Sequence, residues 1–462
     1  MGKKWLSFLV MGILVEAGLL GYTAAISSAK TIRILALAWP QAPVEQELAD
    51  KYFTPKTGIK VIIEAQPYTY NEQKARQEVA AGSSYYDIYH YDSQWGGNYI
   101  VSGALERLDT KEYLLSPDST VDFDRDFFPE LTYRSGKYPT IGAELDKGNF
   151  QAFKDTAIYG LPWSQNCEVL FYNKTRFKEA GLDPESPPDT WEEFREYAIK
   201  LTNPPDRYGV GFSASPAADY ISMEFFPMMW SWGGALWNPY DWTAEGYVNS
   251  PETIAALEFF SNLYLKDKVV PPDTPNWDMD PKLSALLTGL VAMAPEWTPL
   301  LGALMDDPKA SQHVGQIGMS VMPGKKDPAT GEIRRFHMYG CQGTGINARS
   351  KNKKEAWQYL QWLVSYDTQK ALTDNAAAAF VSGRRDLRYY AAGLNRWDKA
   401  FIDAIPTIRD FWNIPPYAEL LFIQNRETNL AFMGAKSAAE AMNYAAKLQQ
   451  AIYDASPYKP KG

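Results

Sequence analysis

Cysteine and histidine are scarce in this chain of 462 residues: two cysteines, Cys167 and Cys341, and three histidines, His90, His313 and His337. They are widely separated, and no C-x-x-C or H-E-x-x-H pattern occurs, so no transition-metal site is expected. Basic clusters are missing too. The chain carries 46 Lys and Arg against 55 Asp and Glu, a net charge of −9, and the pair Arg384-Arg385 is its nearest approach to a basic patch. That balance argues against nucleic acid as a partner. There is no G-x-S-x-G elbow, and Gly343-Thr344-Gly345 is too short for a phosphate or dinucleotide loop. Acidic residues abound, but no distinctive pair marks a glycosidase. The apolar stretch from Leu283 to Met305 is interrupted by Pro295, Glu296 and Pro299, which argues against a membrane span. It reads as a helix end, a buried strand over Leu290 to Ala294, and a functional turn. No cofactor is expected.

Aromatic residues, by contrast, make up 14% of the chain, with 15 Trp and 29 Tyr. Large cores account for part of this; a site that stacks flat ligands on rings would account for more. The length fits two or three domains. Residues 1–29 read as an export signal: Lys3-Lys4, an apolar stretch from Trp5 to Val15, and the small residues Ser27-Ser28-Ala29 before Lys30. No Cys lies near that cleavage point, so a freely diffusing periplasmic protein is expected rather than a lipoprotein.

The first 110 residues alternate strands and helices. Strands are expected over Thr31 to Ala38 and Ile59 to Glu64, and a helix over about Asn71 to Ala81. The segment Tyr86 to Asp109 is the most informative. A short alternating strand, Ile88 to Tyr91, delivers Asp92-Ser93-Gln94-Trp95 at its C-terminal end, and Gly96-Gly97 then opens a helix that stops at Gly103. Ligands in open α/β sheets bind at such strand ends. Farther on, Val169 to Tyr172 reads as a buried strand, and Thr190 with Glu193 as a capping box. Helices are expected from Pro251 to Asp267, capped by Ser250, from Asn352 to Leu372, with a cap-like Asn352/Glu355 pair, and from Ala438 to Ala455.

Six motifs in order carry a resemblance to the family 1 extracellular solute-binding proteins, the carbohydrate-binding components of ABC importers. They are LPWSQNCEVLFYNKTRF from Leu161, PPDTWEEF from Pro187, WSWGGALW from Trp230, GLVAMAPEWTPLLG from Gly289, IGMSVMPG from Ile317 and GCQGTGINARSKNKKEAWQYLQWL from Gly340. The tail Gly103 to Asp109 is similar to the first-lobe signature of the same family. The resemblance implies an α/β fold of two periplasmic-binding-protein-like lobes. Each lobe would be a mostly parallel sheet flanked by helices, and a multi-segment hinge would join them. By analogy lobe 1 spans 30–165 and 342–382, and lobe 2 spans 166–341 and 383–462.

From composition alone the two cysteines could be paired or free. The resemblance makes the first two hinge crossings neighbouring antiparallel strands, which implies a disulfide between Cys167 and Cys341.

A sugar offers hydroxyls around apolar faces, so its site needs planar rings together with Asp, Asn, Gln or Arg. The candidates are Trp39, Asp92, Ser93, Gln94 and Trp95 in lobe 1, and Trp230, Trp232, Gly233 and Trp297 in lobe 2. At the crossings they are Asn166, Gln342 and Arg384. Gln342 stands where many relatives have Trp. The leading reading is a monomeric, non-enzymatic protein that captures a carbohydrate or polyol by lobe closure and presents it to permease subunits. The alternatives are a protein of the same fold for a polyamine or chelate, and a secreted glycoside hydrolase.

Overall fold

The computed structural model describes residues 30–139, 144, 147, 149–298 and 301–460. The expected export signal and Pro299 lie outside the described residues. Nine strands form one sheet: β1 (Thr31–Leu37), β2 (Lys60–Gln66), β3 (Ile88–Asp92), β4 (Leu161–Asn173), β5 (Tyr208–Val210), β6 (Val291–Thr298), β7 (Ile317–Ser320), β8 (His337–Ile346) and β9 (Ile408–Arg409). Their order is β2-β1-β3-β8-β4-β6-β5, with β9 on β8 and β7 on β4. The pairs at the two outer ends, β2-β1-β3 and β6-β5, are parallel. The central pairs β3-β8, β8-β4 and β4-β6 are antiparallel.

β4 and β8 explain that arrangement. All 13 residues of β4 and all 10 of β8 are buried. At about 3.3 Å per residue, β4 is roughly 40 Å long. Its start pairs with β8, and its end, from Cys167 to Tyr172, pairs with β6. β8 in turn pairs through Gln342 to Ile346 with β3. Each long strand therefore runs from one half of the molecule into the other. Only Val169 to Tyr172 stands out as a strand from sequence, because Trp163, Ser164, Gln165 and Asn166 interrupt the apolar run.

Helices cover the sheet: α1 (Gln41–Leu48), α2 (Tyr68–Ala80), α3 (Gly96–Val101), α4 (Trp191–Leu201), α5 (Tyr220–Trp232), α6 (Pro251–Leu265), α7 (Met279–Thr288), α8 (Lys353–Leu363), α9 (Tyr366–Asp374), α10 (Tyr417–Phe432) and α11 (Ala438–Ala455). The capping box forms at α4, where Thr190 Oγ1 accepts from the Glu193 N–H and the Glu193 carboxylate accepts from the Thr190 N–H. Ser250 caps α6 with a single bond, its Oγ accepting from Thr253 N–H.

Three local expectations are corrected. The helix expected over Asn352 to Leu372 is two helices, since Ser365 Oγ accepts from Thr368 N–H and starts α9 afresh. Asn352 makes no capping bond; its amide donates to Thr31 O and Asp87 Oδ1. β6 continues through Pro295 and Glu296 to Thr298, where a turn was expected.

Cys167 and Cys341 are both free and buried. Cys167 lies opposite Tyr339, and Cys341 lies opposite Gln165, so the two are diagonal rather than facing across the strands. Directly opposite residues approach to about 4.5–5.5 Å, and diagonal ones stay about 7–8 Å apart. Cys341 Sγ instead donates to Gln165 Oε1 at 2.7 Å. This overturns the expected disulfide. Burial pushes both thiols above their ordinary pKa.

Candidate ligand-binding site

The C-terminal ends of β1 and β3, the middles of β4 and β8 and the end of β6 meet at one cavity of about 520 Å³, its mouth included. Six sequence candidates line it: Trp39, Asp92, Gln94, Asn166, Trp297 and Gln342. Residues not singled out from sequence complete it, chiefly Tyr68, Asp219, Tyr220, Met223 and Phe411.

β3 brings Asp92 to the edge of the cavity, and register places it directly opposite Gln342 on β8. The Gln342 amide donates to Asp92 Oδ1 at 3.2 Å, and Ser93 N–H donates to the same oxygen at 3.1 Å. Asp92 Oδ2 lies 2.8 Å from the Tyr68 hydroxyl. That hydroxyl also accepts from the Gln94 amide and lies 3.0 Å from Asp219 Oδ2. Asp219 precedes α5 but makes no capping bond there. Burial raises the pKa of both Asp92 and Asp219, and for Asp92 the negative charges of Asp219 and Asp410 add to it.

Rings form the walls. Trp39 stacks on Tyr68 with planes 6° apart and centroids at 6.2 Å. Trp95 supports Tyr68 from behind at 5.0 Å and is itself outside the cavity. On the opposite wall, Trp297 and Asn166 meet over Gly340. A Cβ there would come within 2.2 Å of Asn166 Oδ1 and 2.4 Å of the Trp297 ring, so only glycine lets both side chains close on the strand. Two polar atoms in the lining have no partner among the described residues, Asn166 Nδ2 and Gln342 Oε1. Both residues are nearly inaccessible, at 3% and 0% exposure, so a bound molecule would have to satisfy them.

A sequence profile of the family described as bacterial extracellular solute-binding protein matches residues 38–370. The chain belongs to this family. Among its relatives is a probable amino-acid ABC transporter periplasmic-binding protein of Sinorhizobium fredii, 25% identical over 81% of this chain and 79% of that one. Another is an erythritol/L-threitol-binding protein of Mycolicibacterium smegmatis, 25% identical over 76% of this chain and 70% of that one. A solved solute-binding protein of Thermotoga lettingae, bound with α-D-tagatose, superimposes with a TM-score of 0.73 at 22% identity, covering 92% of this chain and 99% of that one. The shared architecture is the two-lobe periplasmic-binding-protein fold.

The other candidates of this solute-binding protein lie elsewhere. Ser93 is buried and donates to Asp410 Oδ2 at 2.7 Å. Trp230 packs on Phe226 and Phe336, while Trp232 packs on Phe259 beneath the Lys325 ammonium. Gly233 is the left-handed residue that ends α5, at φ 96°. The start of α5 faces the cavity through Tyr220 and Met223. At 1.5 Å per residue Trp230 lies about 10 Å beyond Met223 and the end of the helix farther still, and none of Trp230, Trp232 and Gly233 is in the cavity lining. Arg384 is held by Asp386 at 2.8 and 2.9 Å and by Val364 O at 2.9 Å.

Behind Trp297 lies a fully buried cluster of Glu168, Glu224 and Glu296 around Lys282. Burial depresses the Lys282 pKa, but the three carboxylates overcome it and leave it raised. Burial pushes Glu296 up to about 7 against the pull of Lys282, and pushes Glu168 and Glu224 up as well. Among the described residues, no helix is long and apolar enough to cross a membrane.

Proposed function

We propose that this protein captures a small carbohydrate or polyol between its two lobes and hands it to the permease of an ABC importer. The observation that carries the reading is the cavity, with flat rings on two walls and two buried amides that each leave one polar atom without a partner among the described residues. Rings cover the C–H faces of a sugar, and amides and carboxylates bond its hydroxyls in pairs. The names of the erythritol/L-threitol-binding relative and the tagatose complex point the same way.

In this reading lobe 1 comprises 30–165 and 342–382, and lobe 2 comprises 166–341 and 383–462. Trp39, Asp92, Gln94, Asn166, Trp297 and Gln342 contact the ligand, with Tyr68 and Asp219 closing the cleft from opposite lobes. The protein works as a monomer in the periplasm after removal of residues 1–29, and it turns nothing over.

A thermal-shift screen against monosaccharides, oligosaccharides and polyols tests this. A ligand at about 100 times its dissociation constant stabilises the folded state by about 2.7 kcal/mol, which is readable as a shift in Tm. The expected result is a shift with a small sugar or polyol that is recovered unchanged after hours. A response confined to long oligosaccharides, or consumption of the ligand, would overturn the reading.

A further inference from the structure

The cavity carries two carboxylates, Asp92 and Asp219, and none of the described residues that line it is Lys, Arg or His. An adjoining groove shares Trp39, Tyr220 and Met279 with it. That groove adds Asp278, Asp280 and Asp307, again with no basic residue in its described lining. Cavity and groove together carry five aspartates and no basic residue in their described linings, a charge pattern that concentrates cations and repels anions.

Hydrogen bonding inside the cavity points the same way. The Tyr68 hydroxyl has one proton but lies within hydrogen-bond distance of both Asp92 Oδ2 and Asp219 Oδ2, at 2.8 and 3.0 Å. Gln342 Oε1, fully buried, has no donor among the described residues. Asn166 Nδ2 is a free donor beside it among the described residues, so a ligand meets one free amide acceptor, one free amide donor and two carboxylates. A neutral hydroxyl brings one proton and no charge. An ammonium brings three donors and the positive charge that two desolvated carboxylates lack. Rings are already in place around it, since Trp39 and Tyr68 form one stacked wall and Phe411 and Tyr220 stand nearby. Aromatic faces attract a desolvated cation.

We propose that the ligand is a cationic polyhydroxyl compound, an amino sugar or amino polyol, whose ammonium sits against the Asp92 and Asp219 carboxylates while its hydroxyls engage Asn166 and Gln342. This rests on the reading of the cavity as a carbohydrate or polyol site and narrows it. It also excludes sugar phosphates and sugar acids.

The test is isothermal titration with matched probes that differ only in the amine: 1-amino-1-deoxysorbitol against sorbitol, glucosamine against glucose and against N-acetylglucosamine, and the amino tetritols and pentitols against their parents. Putrescine, an amine without hydroxyls, is titrated alongside. At least one amine is expected to bind tenfold or more tightly than its neutral parent, with the acetylated form no better than the parent. Asp219→Asn, at a half-buried position, is expected to shrink that ratio below about threefold while leaving the Tm of the free protein within a degree. A neutral parent that binds as tightly as its amine overturns this inference and leaves the polyol reading standing. Unchanged discrimination in Asp219→Asn overturns it likewise. Binding of putrescine alone, or of no hydroxylated probe, overturns both.

Discussion

Lys282→Met removes the only cation from a cluster of three buried glutamates. In the native protein the Lys282 ammonium lies 2.8 Å from Glu224 Oε1, 2.6 Å from Pro295 O, and 3.7 Å from both Glu168 and Glu296. Glu296, ordinarily at 4.5, stands at about 7. The folded state therefore holds that proton more tightly than the unfolded chain does. The stability this contributes is complete below about pH 4.5 and is lost as pH rises towards 7. At about 1.4 kcal/mol for each tenfold change in proton affinity, this group alone makes the native protein about 3 kcal/mol less stable at pH 7 than in acid.

Taking away the ammonium raises all three carboxyls further, and removing one partner of a buried ion pair costs about 3–5 kcal/mol. The loss should therefore depend on pH. At pH 7.5 the variant is expected to be about 3–5 kcal/mol less stable than the native protein, and at pH 5 the deficit should be less than about half of that. Urea unfolding followed by tryptophan fluorescence from pH 5 to 8 reads this directly. The double variant Glu224→Gln/Lys282→Met, which removes both halves of the closest pair, should recover part of the loss at pH 7.5. Equal deficits at both pH values would refute the electrostatic argument and leave only lost packing.

Four further outcomes are expected. Trp297→Leu keeps the apolar fill but removes a flat face, and ligand affinity should fall at least tenfold, about 1.4 kcal/mol, in a titration against the best ligand. Gly340→Ala drives a methyl into Asn166 and Trp297; thermal unfolding should show a loss of about 1–3 kcal/mol, with weaker binding beside it. Thiol labelling should find two reactive cysteines in the unfolded protein without reductant and almost none in the folded protein; two unreactive cysteines after unfolding would restore the disulfide. Glu45→Leu strands His90 Nε2, Trp163 Nε1 and the Tyr359 hydroxyl, which lie 2.6–3.1 Å from that carboxylate. At about 1–3 kcal/mol per unsatisfied buried group, denaturant unfolding should shift strongly to lower concentration.

What could be read from sequence was whatever is encoded locally. The capping box of α4, the Ser250 cap and the limits of α11 follow from residues within one turn of each other. Asp92, Gln94 and Trp297 were legible because each sits where a short apolar strand ends in polar or aromatic residues. Tyr68 and Asp219 were not. They are 151 residues apart, each beside a helix start with no motif, and only the tertiary fold brings them together. Trp230 and Trp232 misled for the converse reason: an aromatic pair before Gly-Gly has the composition of a site, but a helix of 13 residues carries it to the far end. The cysteines turned on register, which a shift of two residues decides and composition does not encode.

β4 and β8 bear on how the molecule comes apart. Because both run through the two halves, neither half can melt while keeping them whole, and neither can keep its sheet complete without them. The halves share these strands and are thermodynamically one body. Denaturant should dismantle them in a single transition rather than lobe by lobe. The amides of β4 and β8, released only when everything else has been, should be the slowest in the protein to exchange with solvent.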